Sequence, residues 1–410
     1  MALDFPSSPT NGQVYDKYTW DSTKGVWTIN SSIVTTMTAS DAPPSSPNPG
    51  DAWFESSTGS VFVYYSDADS SQWVQATSAY GTSYTQLEYS SPNYVINGAF
   101  DIWQRWTGTA FASAGYTADR WAIVAASGQT VSVSQQAFTP GTAPVAGYES
   151  SYFCRMAWTG TPSGYFWFTQ RVEDVRTLAG QTATLSFWAK AGTATSAFTP
   201  VIEQNFGSGG SSVVQTVGTA ISLTTSWQRY SVTFNIPSIT GKTIGTSSYL
   251  DVRPLYSSST GVSANNIDIW GVQLEYGSTP TTFRRNANSL QGELAACQRY
   301  YWRWSATAAN TSESVIAQGV FNGTNNARIF MPLPVEMRSG TLSVAQSGIV
   351  VGDQTIASAT PNSFATDNSR NTTKTVQFVV GWASPTFTTR YPAFIFNSTT
   401  SSWIEVSAEL

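Results

Sequence analysis

The stretch NYVINGAFDIWQRW, residues 93–106, sets Phe100, Trp103 and Trp106 within seven positions, interleaved with Asp101 and Arg105. Exposed aromatic rings flanked by hydrogen-bonding side chains are the usual hardware for gripping sugars. The same residues pointed inward are the core of a β-sandwich, where a single Trp most often resides. In an extended strand Asp101, Trp103 and Arg105 share one face while Phe100 and Ile102 share the other. Asn97 and Gly98 suggest a turn or bulge before it. Trp103 and Arg105 are therefore glycan-binding candidates, and Arg105 and Asp119–Arg120 read equally well as ion pairs that lock loops over a sandwich. Tyr116 in AGYTADRW, Tyr165 and Trp167 in GYFWF, and Tyr256 in LYSSSTG complete the candidate set. Tyr165 and Trp167 share a strand face and Phe166 and Phe168 the opposite one, so one pair must turn away from the core. The loop tips at 322–326, 366–371 and 397–402 are rich in hydroxyl and amide groups, a composition shared by sugar-binding loops and solvated turns.

Other chemistries are closed off. The sequence holds no histidine, which removes Ser–His–Asp and Cys–His triads, His-ligated zinc and the usual base near neutral pH. Cys154 and Cys297 lack metal-ligand spacing and read as buried small hydrophobes, with pairing left open. A glycan depolymerase would need two carboxylates ~5 Å or ~6.5–9.5 Å apart across a cleft. Glu173 and Asp174 point to opposite strand faces, while Asp119, Glu149, Glu203 and Asp251 are isolated in sequence. The reading is a non-enzyme. The net charge is −5 with no basic run, which argues against nucleic acid. No apolar run approaches the ~20 residues of a membrane-spanning helix, and the first residues do not read as a signal peptide.

The elements that must position these residues are strands. Charged residues are 11% of the 410, well under the ~25% usual for soluble proteins. Aromatics, Thr, Gly, Asn and Ser fill the gap, which predicts an all-β chain. PSSPTNG at 6–12 and PSSPNPG at 44–50 repeat at an offset of 38, aligning Pro6, Pro9 and Gly12 with Pro44, Pro47 and Gly50. An aromatic hairpin follows each, closed by Trp27 and Trp73. Neither unit can bury much core alone, so these residues are candidates for attachment to a larger assembly. Short alternating strands from about 93 to 285 predict a jelly-roll β-sandwich. In NSLQGELAACQRYYWRW the spacing of Leu290, Leu294, Cys297 and Tyr301 predicts one helical face, with Leu290, Leu294 and Tyr301 as oligomer-interface candidates. Strands then return to the last residue. The expected domains are repeats at 1–38 and 39–85, a jelly roll at 90–287, a connecting helix at 288–304 and a C-terminal β-sandwich at 305–410.

FPSSPTNGQVY with its Trp-closed hairpin resembles the small N-terminal repeats of tailed-bacteriophage structural proteins. NYVINGAFDIWQRW, WGVQLEYGSTPTTFRR and GELAACQRYYW resemble the opening, last strand and exit helix of the carbohydrate-binding-module-like jelly roll in phage tail fibres. MPLPVEMRSGTLSV and IEVSAEL are similar to the distal domain of such proteins. The resemblance spans nearly the whole chain, through five weak motifs in the expected order. It implies a virion appendage, commonly a homotrimer, assembled in the host cytoplasm, docked on other virion proteins and contacting host-surface glycan. A structural neck or capsid fibre and a depolymerase spike are the alternatives it leaves. Related jelly rolls hold a structural calcium between an acidic residue after Gly-x-Phe and acidic residues of the last strand. Asp101 fits the first position, but Trp270 and Gly271 stand at the second, with Asp268 two residues earlier. This departure argues against calcium, so no metal site is assigned and no cofactor is required.

Overall fold

The computed structural model describes residues 6–15, 18–29, 37–57, 59–66, 69–75, 92–105, 109–111, 114–126, 130–145, 148–158, 164–193, 195–257, 266–307, 314–353 and 358–410. The chain is all-β, with one short helix among the described residues. It divides into two compact units, Met1–Tyr89 and Ser90–Leu410.

The first unit holds a three-stranded sheet, Val14–Tyr15, Tyr18–Asp21 and Val26–Ile29. It also holds a four-stranded sheet, Met37–Ser40, Ala52–Glu55, Ser60–Ser66 and Ser71–Gln75. The sequence repeat is also a hydrogen-bond repeat. Gln13 N donates to Thr10 O at 2.9 Å and Asp51 N to Asn48 O at 3.0 Å, the same pair 38 positions on. Gly12 N then reaches Trp20 O and Gly50 N reaches Tyr64 O, in each case the second strand after the turn. Gly12 and Gly50 both take positive φ, 78° and 94°, which a side chain would resist. Trp20 meets Trp27 at 5.5 Å and Tyr64 meets Trp73 at 5.3 Å, so each unit closes on an aromatic pair. Among this unit's described residues only Ala52 and Trp53 are buried hydrophobics. Pro6, Pro9, Pro44 and Pro47 are half-buried at the turns.

The second unit begins as two six-stranded antiparallel sheets packed face to face. One runs in the order Val214–Val217, Val201–Asn205, Tyr249–Ser257, Phe166–Glu173, Ala122–Ala125, Ala114–Tyr116. The other runs Gln228–Asn235, Thr182–Ala191, Asn266–Tyr276, Tyr152–Trp158, Val131–Ala137, Thr109–Phe111. Alternation sends Phe166, Phe168, Leu250 and Val252 inward from the first, and Leu185, Phe187, Ile267 and Ile269 inward from the second. Tyr165 and Trp167 therefore face outward.

The opening stretch is not the strand its alternation suggested. Asn97 and Phe100 both take left-handed φ of 57°, which folds residues 93–105 into a knot of turns. The Asn97 amide donates to Ile102 O at 2.9 Å and Asp119 O at 3.1 Å, and accepts from Ile102 N at 3.0 Å. Phe100 is thereby driven into the core against Trp121, itself stacked on Phe168 at 4.7 Å.

The helix covers Leu290–Gln298 only, capped by the Ser289 hydroxyl on Gly292 N at 3.0 Å. It ends sooner than the expected 288–304 because the aromatic run from Tyr301 favours a strand. Tyr301–Ser305 pairs with Trp403–Ser407. The predicted face is accordingly corrected. Glu293 and Cys297 are the buried helical positions, Leu290 is 51% exposed, Leu294 is half-buried, and Tyr301 is buried within its own chain with its hydroxyl on Glu405 at 2.6 Å. Cys154 and Cys297 are both buried free thiols. A three-stranded sheet (Tyr301–Ser305, Trp403–Ser407, Ser343–Ser347) and a seven-stranded one then enclose a second core that includes Phe321, Ile329, Phe378 and Ile404.

Candidate functional site

Because Phe166 and Phe168 take the core, the strand Phe166–Glu173 offers Trp167 and Arg171 to the outer face, and Tyr249–Ser257 offers Tyr249, Asp251, Arg253 and Tyr256. Thr169 joins that face by the same alternation, and the extra residue that the strand Tyr249–Ser257 carries opposite Phe168–Gln170 sets Tyr256 beside Trp167. Over these residues, Tyr256 excepted, lies a cleft of about 460 Å³, lined also by Tyr116, Arg120, Ala122, Val124, Glu203 and Leu410.

Its floor is a polar network. Glu203 and Asp251 lie directly opposite on neighbouring strands, and Arg253 bridges them at 2.9 Å and 2.8 Å. Asp251 also accepts from the Thr169 hydroxyl, and Glu203 from the Gln215 amide at 2.6 Å. Both carboxylates thus stand on one floor around a shared cation. Beside the network runs an aromatic row. Tyr165 stacks on Trp167 at 5.1 Å, Trp167 meets Tyr256 at 5.8 Å, and the Arg253 guanidinium lies 5.0 Å from the Trp167 ring. The rings stand side by side rather than flat, so Trp167 is clamped between a ring and a cation. Tyr165, 43% exposed, carries the row toward solvent. Tyr249 lies under Arg171 at 4.6 Å and accepts from Asn205 at 3.0 Å.

Of the candidates, Tyr165, Trp167 and Tyr256 come together, and Trp167 and Tyr116 line the cleft. Tyr116 donates to Leu410 O at 3.0 Å, and burial pushes its hydroxyl up to about 12. Trp103 and Arg105 do not join them. The Trp103 indole donates to Phe100 O at 2.7 Å and packs on the sandwich core, as the folded knot requires. Arg105 is spent on Glu409 at 3.2 Å and lies over the Tyr301 ring at 3.5 Å. Trp106 lies outside the described residues. Thr169, Arg171, Tyr249 and Arg253 were missed as site residues, and Glu203 and Asp251 were weighed only as isolated carboxylates. The signal was present in YLDVRPLY, where polar or aromatic side chains recur at every second position through Arg253.

A calcium does not fit the position that the resemblance implied. The Asp101 carboxylate accepts from Arg285, and Asp268 is held by Arg155 at 2.6 Å and by Lys190 at 3.6 Å. Trp270 is buried with its indole on Ser150 at 2.7 Å. Among the described residues no three His, Cys, Asp or Glu side chains gather as a metal site would require.

No family model matches the sequence, and no curated protein matches it. Similar solved structures include a Stig cyclase from Fischerella sp. TAU, at 16% identity and TM-score 0.31, covering 47% of this chain and 100% of that one. The CBM22-1–GH10 modules of Clostridium thermocellum xylanase 10B are 12% identical with TM-score 0.29, over 46% of this chain and 29% of that one. The family 11 carbohydrate-binding module of Clostridium thermocellum Lic26A-Cel5E is 12% identical with TM-score 0.26, over 46% of this chain and 97% of that one. Likenesses this distant assign no ligand and no activity to the cleft, whose chemistry is read from its own side chains.

Proposed function

We propose that this chain is a non-enzymatic appendage protein of a tailed-phage virion that holds host-surface glycan in the cleft over Trp167. The observation that carries the glycan reading is the juxtaposition of Trp167 with the fixed Glu203–Arg253–Asp251 network in one cleft, with Tyr165 and Tyr256 continuing the aromatic row beside it. Sugars present apolar C–H patches and hydroxyl rims, which match an apolar wall beside preset donors and acceptors. The virion setting, the attachment role of Pro6, Pro9, Gly12, Trp27, Pro44, Pro47, Gly50 and Trp73, and a homotrimer rest on the sequence resemblance. Weak single-site binding would then be multiplied by avidity.

A purely structural fibre is the second reading, favoured by the clamping of Trp167 between Tyr165 and Arg253. The depolymerase reading is disfavoured, because Glu203 and Asp251 share one cation on one floor instead of facing each other across a cleft.

The test is competition. Purified protein added to host cells lowers adsorption of intact phage in a dose-dependent way. Trp167→Ala weakens that competition about tenfold or more, equivalent to ~1.4 kcal/mol, and leaves the melting temperature nearly unchanged. Trp103→Ala does the converse, costing about 2–3 kcal/mol of stability with binding retained in the folded fraction. Unchanged adsorption by a folded protein that does not bind the cells would select the structural fibre.

A further inference from the structure

We infer that the cleft is stopped at one end by residues 409–410 and takes the terminus of a glycan chain rather than an internal stretch. This rests on the glycan reading above. Along the strand Phe166–Glu173 the floor runs from Trp167 to the Arg171–Asp251 pair, with Tyr249 beyond it. At the first end the aromatic row leads out to exposed Tyr165. At the second end Leu410 lies in the cleft lining, its oxygen accepting from both Arg171 and Tyr116.

The stop is held from two sides. Glu409 is gripped by Arg105 and Arg120 of the jelly roll. From the other side Ala408 N donates to Tyr300 O at 2.7 Å, and Arg338 donates to Ala408 O at 2.8 Å. Six groups spread over both sandwiches fix three residues, so the segment is a wall of the cleft rather than a loose tail. A groove closed in this way admits a chain end and excludes a chain that would have to pass through. Arg120, Arg171 and Arg253 stand in the lining with Glu203 and Asp251, and Glu409 behind it pairs with both Arg105 and Arg120.

The experiment starts from an array of oligosaccharides, probed with the full chain. For the strongest binder, its parent polymer is used as a soluble competitor before and after partial acid hydrolysis. Raising the number of chain ends about tenfold at equal mass should strengthen competition about tenfold, since only ends are counted as sites. Equal competition at equal mass overturns the terminal reading and leaves glycan binding intact. No binding to any sugar on the array overturns both. Deleting Glu409 and Leu410 should abolish the dependence on ends and admit intact polymer. Should that variant fail to fold, Arg171→Gln with Tyr116→Phe releases Leu410 alone and should shift the preference the same way. A released variant that keeps the full preference for ends shows that another feature imposes it, and overturns the inference.

Discussion

Asp119 sits in the turn that begins the strand Ala122–Ala125, wholly buried, with its carboxylate accepting from Gln104 N at 2.9 Å and from the Gln104 amide. Burial pushes its pKa up from 3.8 to about 6, against the opposing pull of Arg105. A carboxyl raised on folding binds its proton more tightly in the native state. Its contribution is therefore fully present below the unfolded value and is lost as pH rises through the folded one. Asp101 and Glu293 are raised in the same direction by burial. The unfolding free energy of the protein relative to Asp119→Asn, from urea titration, should accordingly fall as pH goes from about 4 to about 7, by roughly 2–3 kcal/mol. A difference that stays flat over that window would sink the assignment. At this scale the sequence was partly legible. GYFWF announced its outward pair because alternation leaves no other choice once Phe166 and Phe168 take the core. Trp103 misled because nothing in NGAFDIW signals that a Phe will adopt left-handed φ, which broke the face on which Trp103 and Arg105 were placed together.

The opening knot is fastened to the last jelly-roll strand by backbone contact, which side-chain patterns do not announce. Val272 N donates to Gly98 O at 2.9 Å, and Asn93 donates to Val272 O at 3.1 Å while accepting from Leu274 N at 3.1 Å. The helix adds a further tie, since Glu293 accepts from Asn97 N and from Ala287 N at 3.1 Å. A Cβ at Gly98 would stand 2.0 Å from Val272 O, inside any tolerable contact. Gly98→Ala should therefore cost about 2–4 kcal/mol through backbone displacement. Gly241, with φ +75° and nothing within 4 Å of its would-be Cβ, should cost only about 1 kcal/mol as Gly241→Ala. Denaturant titration of the two variants checks the ranking, and equal losses would mean that the close approach is not a constraint. The short helix shows the same limit of legibility. Its start was readable from the Ser289 cap, but its end was not, because aromatic spacing from Tyr301 suits a helix face and a strand equally until Trp403–Ser407 is there to pair with it.

What binds the Ser90–Leu410 unit together is an ion cluster drawn from opposite ends of the sequence. Arg120 and Glu409 are 289 positions apart, 1% and 6% exposed, and paired; Arg105 joins at 3.2 Å. The Arg120 guanidinium also lies 3.4 Å from the Tyr300 ring. Strand patterns could mark two sandwiches and a joint near residue 300, but no local signal links IEVSAEL to AGYTADRW. A buried pair of this kind need not add net stability over an apolar substitute, yet removing one partner strands the other charge without compensation. Glu409→Gln should therefore cost about 3–5 kcal/mol. Because the loss falls on the junction rather than within either core, it should also uncouple the two sandwiches. Calorimetry would then show the C-terminal sandwich melting ahead of the jelly roll, where the native protein should unfold Ser90–Leu410 in one step. Glu336→Gln is the matched control. Its Lys374 pair is 3.8 Å long with side chains 72% and 55% exposed, and it should cost no more than ~0.5 kcal/mol. A Glu409→Gln protein that melts in one unshifted transition would show that the sandwiches are joined by their other contacts, chiefly the strand Tyr301–Ser305, and that Glu409 serves the cleft wall alone.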